Sequence, residues 1–345
     1  MTVLVTGHKG YIGAVLVRIL LDEGYEVIGF DSDLYERCTF GSSLVPVREI
    51  KKDIRDVDVM DLEGVDVVMH LAALSNDPLG NLDPNLTFEI NHHASVRLAE
   101  MAKKAGVARF IFSSSCSNYG SAGDDLVTET AALAPVTPYG ESKVGVEHDV
   151  AGMGDESFSP TFLRHATAYG ASPRHRFDLV LNNLVAWAYT RGEIMMKSDG
   201  TPWRPLVHIE DISRAFIAVM RAPIKSVRGE AFNIGRTDQN FRIRELAEIV
   251  RDVIPNTSIE YAEGAGPDKR CYRVDFSKVS KVIPSFKPEW DARRGVEELY
   301  ECYQQVELKV EDFEGPKFNR IDHIKMLIEQ GVLDKSLRRL GRIAS

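Results

Sequence analysis

Tyr139 and Lys143 stand four residues apart in Pro138-Tyr139-Gly140-Glu141-Ser142-Lys143. On a helix that spacing puts a phenol and an ammonium on one face. A phenol has a reference pKa of about 10, and lowering it by ~3 units takes on the order of 4 kcal/mol of differential stabilisation. A neighbouring ammonium is one source of such stabilisation, so the pair can serve as a proton relay. A surface tyrosine above a lysine has the same spacing and no chemistry, so the pair acquires meaning only from what surrounds it.

Gly7-His8-Lys9-Gly10-Tyr11-Ile12-Gly13 is the second chemical group. Its glycines allow a tight turn and let backbone N–H groups approach a pyrophosphate at a helix N-terminus. No Gly-Lys-Ser/Thr closes it, which excludes a Walker loop. Asp31 follows Gly13 by 18 residues, where a carboxylate hydrogen-bonds the ribose hydroxyls of NAD and repels the 2′-phosphate of NADP. The two features together predict NAD binding.

The elements that must position these groups read as alternating strands and helices. Val3–Thr6, Glu26–Phe30, Asp66–Leu71, Arg109–Ser113 and Thr161–Arg164 are predicted strands. Helical apolar spacing covers Ile12–Glu23 and Asn85–Ala105, the latter stopping at Gly106, a residue suited to a helix end. Strands joined by helices imply right-handed crossovers and a doubly wound parallel sheet of the Rossmann type. Beyond about Gly170 prolines punctuate shorter elements, with helices predicted at Arg242–Val253, Ala292–Gln304 and Arg320–Gln330. The expected division is a dinucleotide unit over 1–170, joined by 205–236, and a smaller interleaved α/β substrate unit over 171–204 and 237–305. The charged tail, 306–345, carries no assignable chemistry.

The three-glycine spacing Gly7-x-x-Gly10-x-x-Gly13 with the tyrosine–lysine pair resembles the extended short-chain dehydrogenases/reductases, specifically the nucleotide-sugar epimerases and dehydratases. The resemblance spans roughly residues 2 to 305. It implies that Tyr139 and Lys143 are catalytic and also touch the cofactor, and that Ser115, counted back from Tyr119-Gly120, is the catalytic serine. It carries over Gly7, Gly10, Tyr11, Ile12, Gly13, Asp31, Asp53, Ile54, Leu71, Ala72, Ala73, Asn91 and Ser113 as NAD contacts. Substrate contacts implied are Ser75 and Asn76 beside the sugar, Ser115, and Asn183 and Arg204 at the diphosphate. The arginine often found three residues before Asp268 is Ala265 here, so Arg270 or Arg273 is expected to take its place. A homodimer through helices Asn85–Ala105 and Tyr139–Val150 is the family's pattern.

Cys116-Ser117 follows Ser115, where related dehydratases carry Asp-Glu and decarboxylases a glutamate in the second position. Without that carboxylate, a group type typically contributing 10²–10⁴-fold, dehydration and decarboxylation are disfavoured. Epimerisation at carbon 4 of a nucleoside-diphosphate sugar is the reading that survives. Three alternatives stay open: a 4-ketosugar reductase, a 3/5-epimerase using Cys116 with His175 or Arg176, and a non-catalytic NAD-binding scaffold or sensor.

The chain has 345 residues, 44% of them apolar, and a net charge of −9. That acidity argues against nucleic acid or an anionic membrane as partner, since basic surface supplies most of that affinity. Four cysteines without a CxxC pair, and no leader or ~20-residue apolar span, predict a reduced, cytoplasmic protein without structural zinc.

Overall fold

The computed structural model describes residues 1–75, 83–196, 198–262 and 271–340. Seven strands make one parallel sheet: β1 (Thr2–Thr6), β2 (Glu26–Asp31), β3 (Arg48–Lys51), β4 (Val67–His70), β5 (Arg109–Ser115), β6 (Ser159–His165) and β7 (Ala231–Ile234). Their order is β7-β6-β5-β4-β1-β2-β3. Every pairing is parallel. The order reverses between β1 and β4, and in doubly wound sheets the crevice at that reversal is where ligands bind.

Helices cover both faces, which is why the central strands are continuous apolar runs instead of alternating ones. Val3, Leu4 and Val5 are fully buried, as are Val68, Met69, Phe110 and Phe112. Side chains pointing one way (Val3, Val5, Met69, Ile111, Leu163) join Leu16, Leu20, Ile212, Phe216 and Met220. Those pointing the other way (Leu4, Ile28, Phe30, Val68, Phe110) join Leu98, Ala102, Val146 and Val150. Ile324, Leu327, Leu333 and Leu337, from the tail, lie in that second cluster. A third core gathers Tyr169, Leu181, Val185, Leu246, Val250, Leu299 and Tyr303 beside the sheet.

The five anticipated strands form, each within two residues of its expected limits. β3 and β7 lie outside the five anticipated. β3 holds a single apolar residue, Ile50, among Arg48, Glu49 and Lys51, and exists by pairing with β2. The stretch expected as one helix from Asn85 to Ala105 is instead a short α-turn, Pro84–Thr87, a π-turn, Phe88–His93, and an α-helix, Ala94–Lys104. It ends as anticipated: Gly106 takes φ 81°, and Val107 N donates to Ala102 O at 3.0 Å. Among the described residues no helix is long and apolar enough to cross a membrane.

Candidate active site

The first crossover builds a cradle. The helix Tyr11–Asp22 starts at Gly10, which supplies no side-chain cap, so the first-turn N–H groups are open to an anion. Gly7 has φ 69°, and a Cβ there would stand 2.8 Å from Ala72 N, so β4's exit packs directly on the turn. A Cβ on Gly13 would lie 2.1 Å from Gly7 O. At the end of β2, Asp31 accepts hydrogen bonds from Lys9 N at 3.0 Å and Asp33 N at 2.8 Å. Burial raises its pKa, and these amides oppose the rise.

Thr137 and Pro138 start the next element. The Thr137 hydroxyl accepts from Gly140 N at 3.2 Å, and Pro138 occupies the first turn, where its missing N–H costs nothing. The resulting helix, Pro138–Ala151, brings Tyr139 and Lys143 to one side. Lys143 Nζ donates to Ser113 O at 2.7 Å and lies 5.6 Å from the centre of the Tyr139 ring. Burial pushes Lys143 down to about 7, with Glu147 one turn on pulling the other way. At the end of β5, Ser115 Oγ accepts from Ser117 N at 3.1 Å and from Ser117 Oγ at 2.8 Å. With two donors already on that oxygen, the Ser115 proton is left to point elsewhere.

A cavity of about 740 Å³ joins the cradle to this pair. Gly7, Gly10, Tyr11, Ile12, Gly13, Asp31, Asp53, Ile54, Leu71, Ala72, Ala73, Ser113, Tyr139 and Lys143 all line it, as do Ser75, Ser115 and Arg204. Asp53 is clamped by Arg55, at 3.0 Å from Nε and 2.6 Å from an Nη, and these contacts hold its carboxyl below the usual range despite burial. The uncapped helix end, the glycine approach and the cavity continuous from Asp31 to Lys143 fit a dinucleotide.

Four expected positions lie elsewhere. Asn91 does not line the cavity. The π-turn presents it to Leu74, whose N–H it accepts at 2.7 Å and whose carbonyl it donates to at 3.1 Å. Its contribution is therefore to hold the strand exit, at one remove from any ligand. Cys116 is fully buried in the sheet core, donates to Arg164 O at 3.2 Å, and has its thiol raised well above the normal range by burial. Neither suggested partner is hydrogen-bonded to it. His175 is buried against Phe40 and the Tyr303 hydroxyl, 2.7 Å away, and Arg176 pairs with Asp178 at 2.6 Å. Asn183 sits on the helix Val180–Arg191 outside the lining, while its neighbour Asn182 is buried, binding Gly170 N and the Tyr11 hydroxyl. Arg273 stacks on Trp203, 4.6 Å from the ring centre. Asn76 and Arg270 fall outside the described residues.

Cavity walls that sequence reasoning passed over include Asp178, His165, Arg320 and Leu337, and Arg176, expected only as a partner for Cys116, lines the cavity too. Arg176 also donates to Ser75 Oγ at 3.1 Å, spanning from the loop after the sheet to the β4 exit. None of these lies in a motif, and only folding brings them to the same space.

The chain belongs to the NAD-dependent epimerase/dehydratase family, whose model matches residues 3–235. It is 26% identical over 329 residues to the UDP-glucose 4-epimerase of Bacillus subtilis, an alignment covering 87% of this chain and 94% of the relative. Among solved structures it resembles the UDP-glucuronic acid 4-epimerase of Bacillus cereus in complex with UDP-glucuronic acid and NAD. There the TM-score is 0.75 and the identity 26%, over 89% of this chain and 100% of the other. It also resembles the dTDP-glucose 4,6-dehydratase DesIV of Streptomyces venezuelae with NAD bound (TM-score 0.77, 26% identity, 88% and 97% covered). Epimerases and dehydratases thus stand at similar distance, and the family's NAD dependence extends to this chain.

Proposed function

We propose that the chain is an NAD-dependent nucleoside-diphosphate-sugar 4-epimerase. The observation that carries the proposal is that, among the described residues lining the cavity, no carboxylate free of a cationic partner stands beside Ser115 and Tyr139. Among the described residues lining the cavity, the carboxylates are Asp31, Asp33 and Asp53 at the dinucleotide end and Asp178, which is paired with Arg176. Loss of water from a sugar calls for a general acid or base near C5 and C6, and the Cys116-Ser117 step offers none.

In this reading Tyr139, as phenolate, takes the proton of the C4 hydroxyl while the C4–O bond becomes a carbonyl. NAD held by the Gly7–Gly13 turn, Asp31 and Lys143 would supply reversible hydride acceptance at C4. Ser115, its oxygen already accepting twice, donates a hydrogen bond to the sugar oxygen, keeps its own proton, and holds that oxygen against Tyr139. Lys143, buried and anchored on Ser113 O, lends the phenolate positive charge while protonated. Arg204 is the cation for the substrate diphosphate, a geometry suited to guanidinium. The proton then returns from Tyr139 to the oxygen, and the cofactor ends as it began. The same reading expects a homodimer through the helices Ala94–Lys104 and Pro138–Ala151, which light scattering tests.

The decisive assay presents UDP-, dTDP-, GDP-, ADP- and CDP-sugars and follows product stereochemistry by NMR. Inversion at C4 without net reduction of cofactor is the expected outcome; a dehydrated product, or consumption of reduced cofactor in proportion to product, overturns it. Tyr139→Phe is expected to lower turnover by roughly 10²–10⁴-fold, the usual worth of a positioned acid/base, with NAD content unchanged.

A further inference from the structure

The segment after Val306 folds back across the chain onto the loops that leave β2 and β3. Arg339 donates to Ser32 O at 3.1 Å and Asp33 O at 2.6 Å, and pairs with Glu36 at 3.1 Å. Arg338 pairs with Asp56, and Arg55 donates to Ser336 O at 2.9 Å, so the residue that clamps Asp53 is itself tied to the tail. Gln330 accepts from Arg37 at 3.0 Å. Beneath these contacts Leu333 and Leu337 are buried with Phe30 and Ile54. Burial of two leucines, at ~1.5–3 kcal/mol each, makes this a packed wall and not a loose end.

Two tail residues reach the cavity itself, Leu337 and Arg320. Arg320 opens the helix Arg320–Glu329, and its guanidinium stacks 4.3 Å from the centre of the Tyr35 ring. Among the described residues it makes no hydrogen bond or ion pair. Burial holds its pKa below the ordinary value, and the nearby Arg176 guanidinium pushes the same way, with Tyr35 and Asp178 opposing. A guanidinium that faces a cavity, unpaired and beside a second one, is stabilised by an anion entering that cavity. The open helix end at Gly10–Ile12 lines the same cavity.

We propose that residues 307–340 form the outer wall of the adenosine end of the dinucleotide site, and that Arg320 is a ligand of the cofactor's diphosphate. This rests on the cavity being the dinucleotide site. The tail thereby becomes part of the binding site, tying the loops of Asp33 and Asp53 in place before the cofactor arrives. The family model ends at residue 235, so nothing in that match assigns the segment a role.

The test uses the full-length protein, stripped of bound nucleotide, with calorimetric titration by NAD, ADP, adenosine and UDP. Arg320→Gln is expected to weaken NAD and ADP by roughly ten- to a hundredfold, the range for one hydrogen-bonded charge. Adenosine and UDP should bind as to the parent protein, and the thermal midpoint of the stripped protein should not move. Arg339→Ala, which frees the 32–36 loop, is expected to weaken adenosine as well as NAD and ADP. Unchanged ADP binding by Arg320→Gln overturns the proposal. A loss confined to UDP also overturns it, by giving Arg320 to the substrate's diphosphate. Parent protein that binds neither NAD nor ADP refutes the dinucleotide reading itself.

Discussion

Lys143 and Cys116 show how burial separates two groups of similar intrinsic acidity. Lys143 is buried at the cavity wall, so losing solvation brings it down to about 7, where it titrates near neutral pH. Cys116, 27 residues earlier and at the neighbouring strand end, is buried in the core, where the same loss of solvation keeps it a thiol. A neutral thiol without a cavity face has no access to a sugar. Cys116→Ala is therefore expected to leave turnover within a factor of about two while lowering stability by about 1 kcal/mol, the worth of a small buried group. Activity and urea unfolding of the same sample check this, and a hundredfold loss of turnover at unchanged stability would restore Cys116 as an acid. The residue types and spacings of Tyr139, Lys143 and the glycine turn were legible because each acts with neighbours one helical turn away. Cys116 was ambiguous because its direction depends on where the strand end turns.

At the scale of elements, the site is held by a buried polar network under the Ser115 loop. Arg164, on β6, grips the Glu147 carboxylate of the helix Pro138–Ala151 through Nε at 3.0 Å and an Nη at 2.6 Å. Glu147 also accepts from Ser114 and Asn118, so one carboxylate ties β6, the helix carrying Tyr139 and Lys143, and the serine loop together. Both charges are more than nine-tenths buried. Removing one leaves the other stranded, so Arg164→Met is expected to cost about 3–5 kcal/mol. The double change Arg164→Met with Glu147→Leu should recover much of it, because no charge is then left without a partner. Denaturant unfolding of the single and double variants checks both statements. The π-turn Phe88–His93 belongs to this scale too: an extra residue in one turn rotates Asn91 toward Leu74, which no apolar periodicity announces.

For the molecule as a whole, three buried histidines set the acid limit. Burial pushes His70, His165 and His175 down to about 3 from an ordinary value of 6.5. Between those values the unfolded chain binds protons that the folded chain does not, so stability falls as pH drops from about 6.5 towards 3. Each histidine contributes up to about 1.4 kcal/mol per pH unit across that window. Unfolding at pH 5 is expected to take up about three protons from these groups. His165 has no partner on either ring nitrogen among the described residues and packs on Phe216, so His165→Phe should lower the uptake by about one. Calorimetry in buffers of different ionisation enthalpy measures this, and uptake unchanged by the substitution would mean that His165 is already charged in the folded protein.

From its order of residues alone, the chain determined the alternating strands and helices, the glycine turn, the carboxylate at the end of β2 and the tyrosine–lysine face. All of these depend on residues close in sequence, where backbone geometry dictates which side chains share a side. Tertiary structure decided what lay between distant segments. It sent Cys116 into the core and turned Asn91 to a backbone clamp. It set Arg176 against Ser75 at the cavity wall, and brought Arg320, Leu337 and Arg339 across some 300 residues to the loops after β2 and β3. Those outcomes follow from burying apolar area over the whole molecule, and a local pattern contains no record of what the far end of the chain will cover.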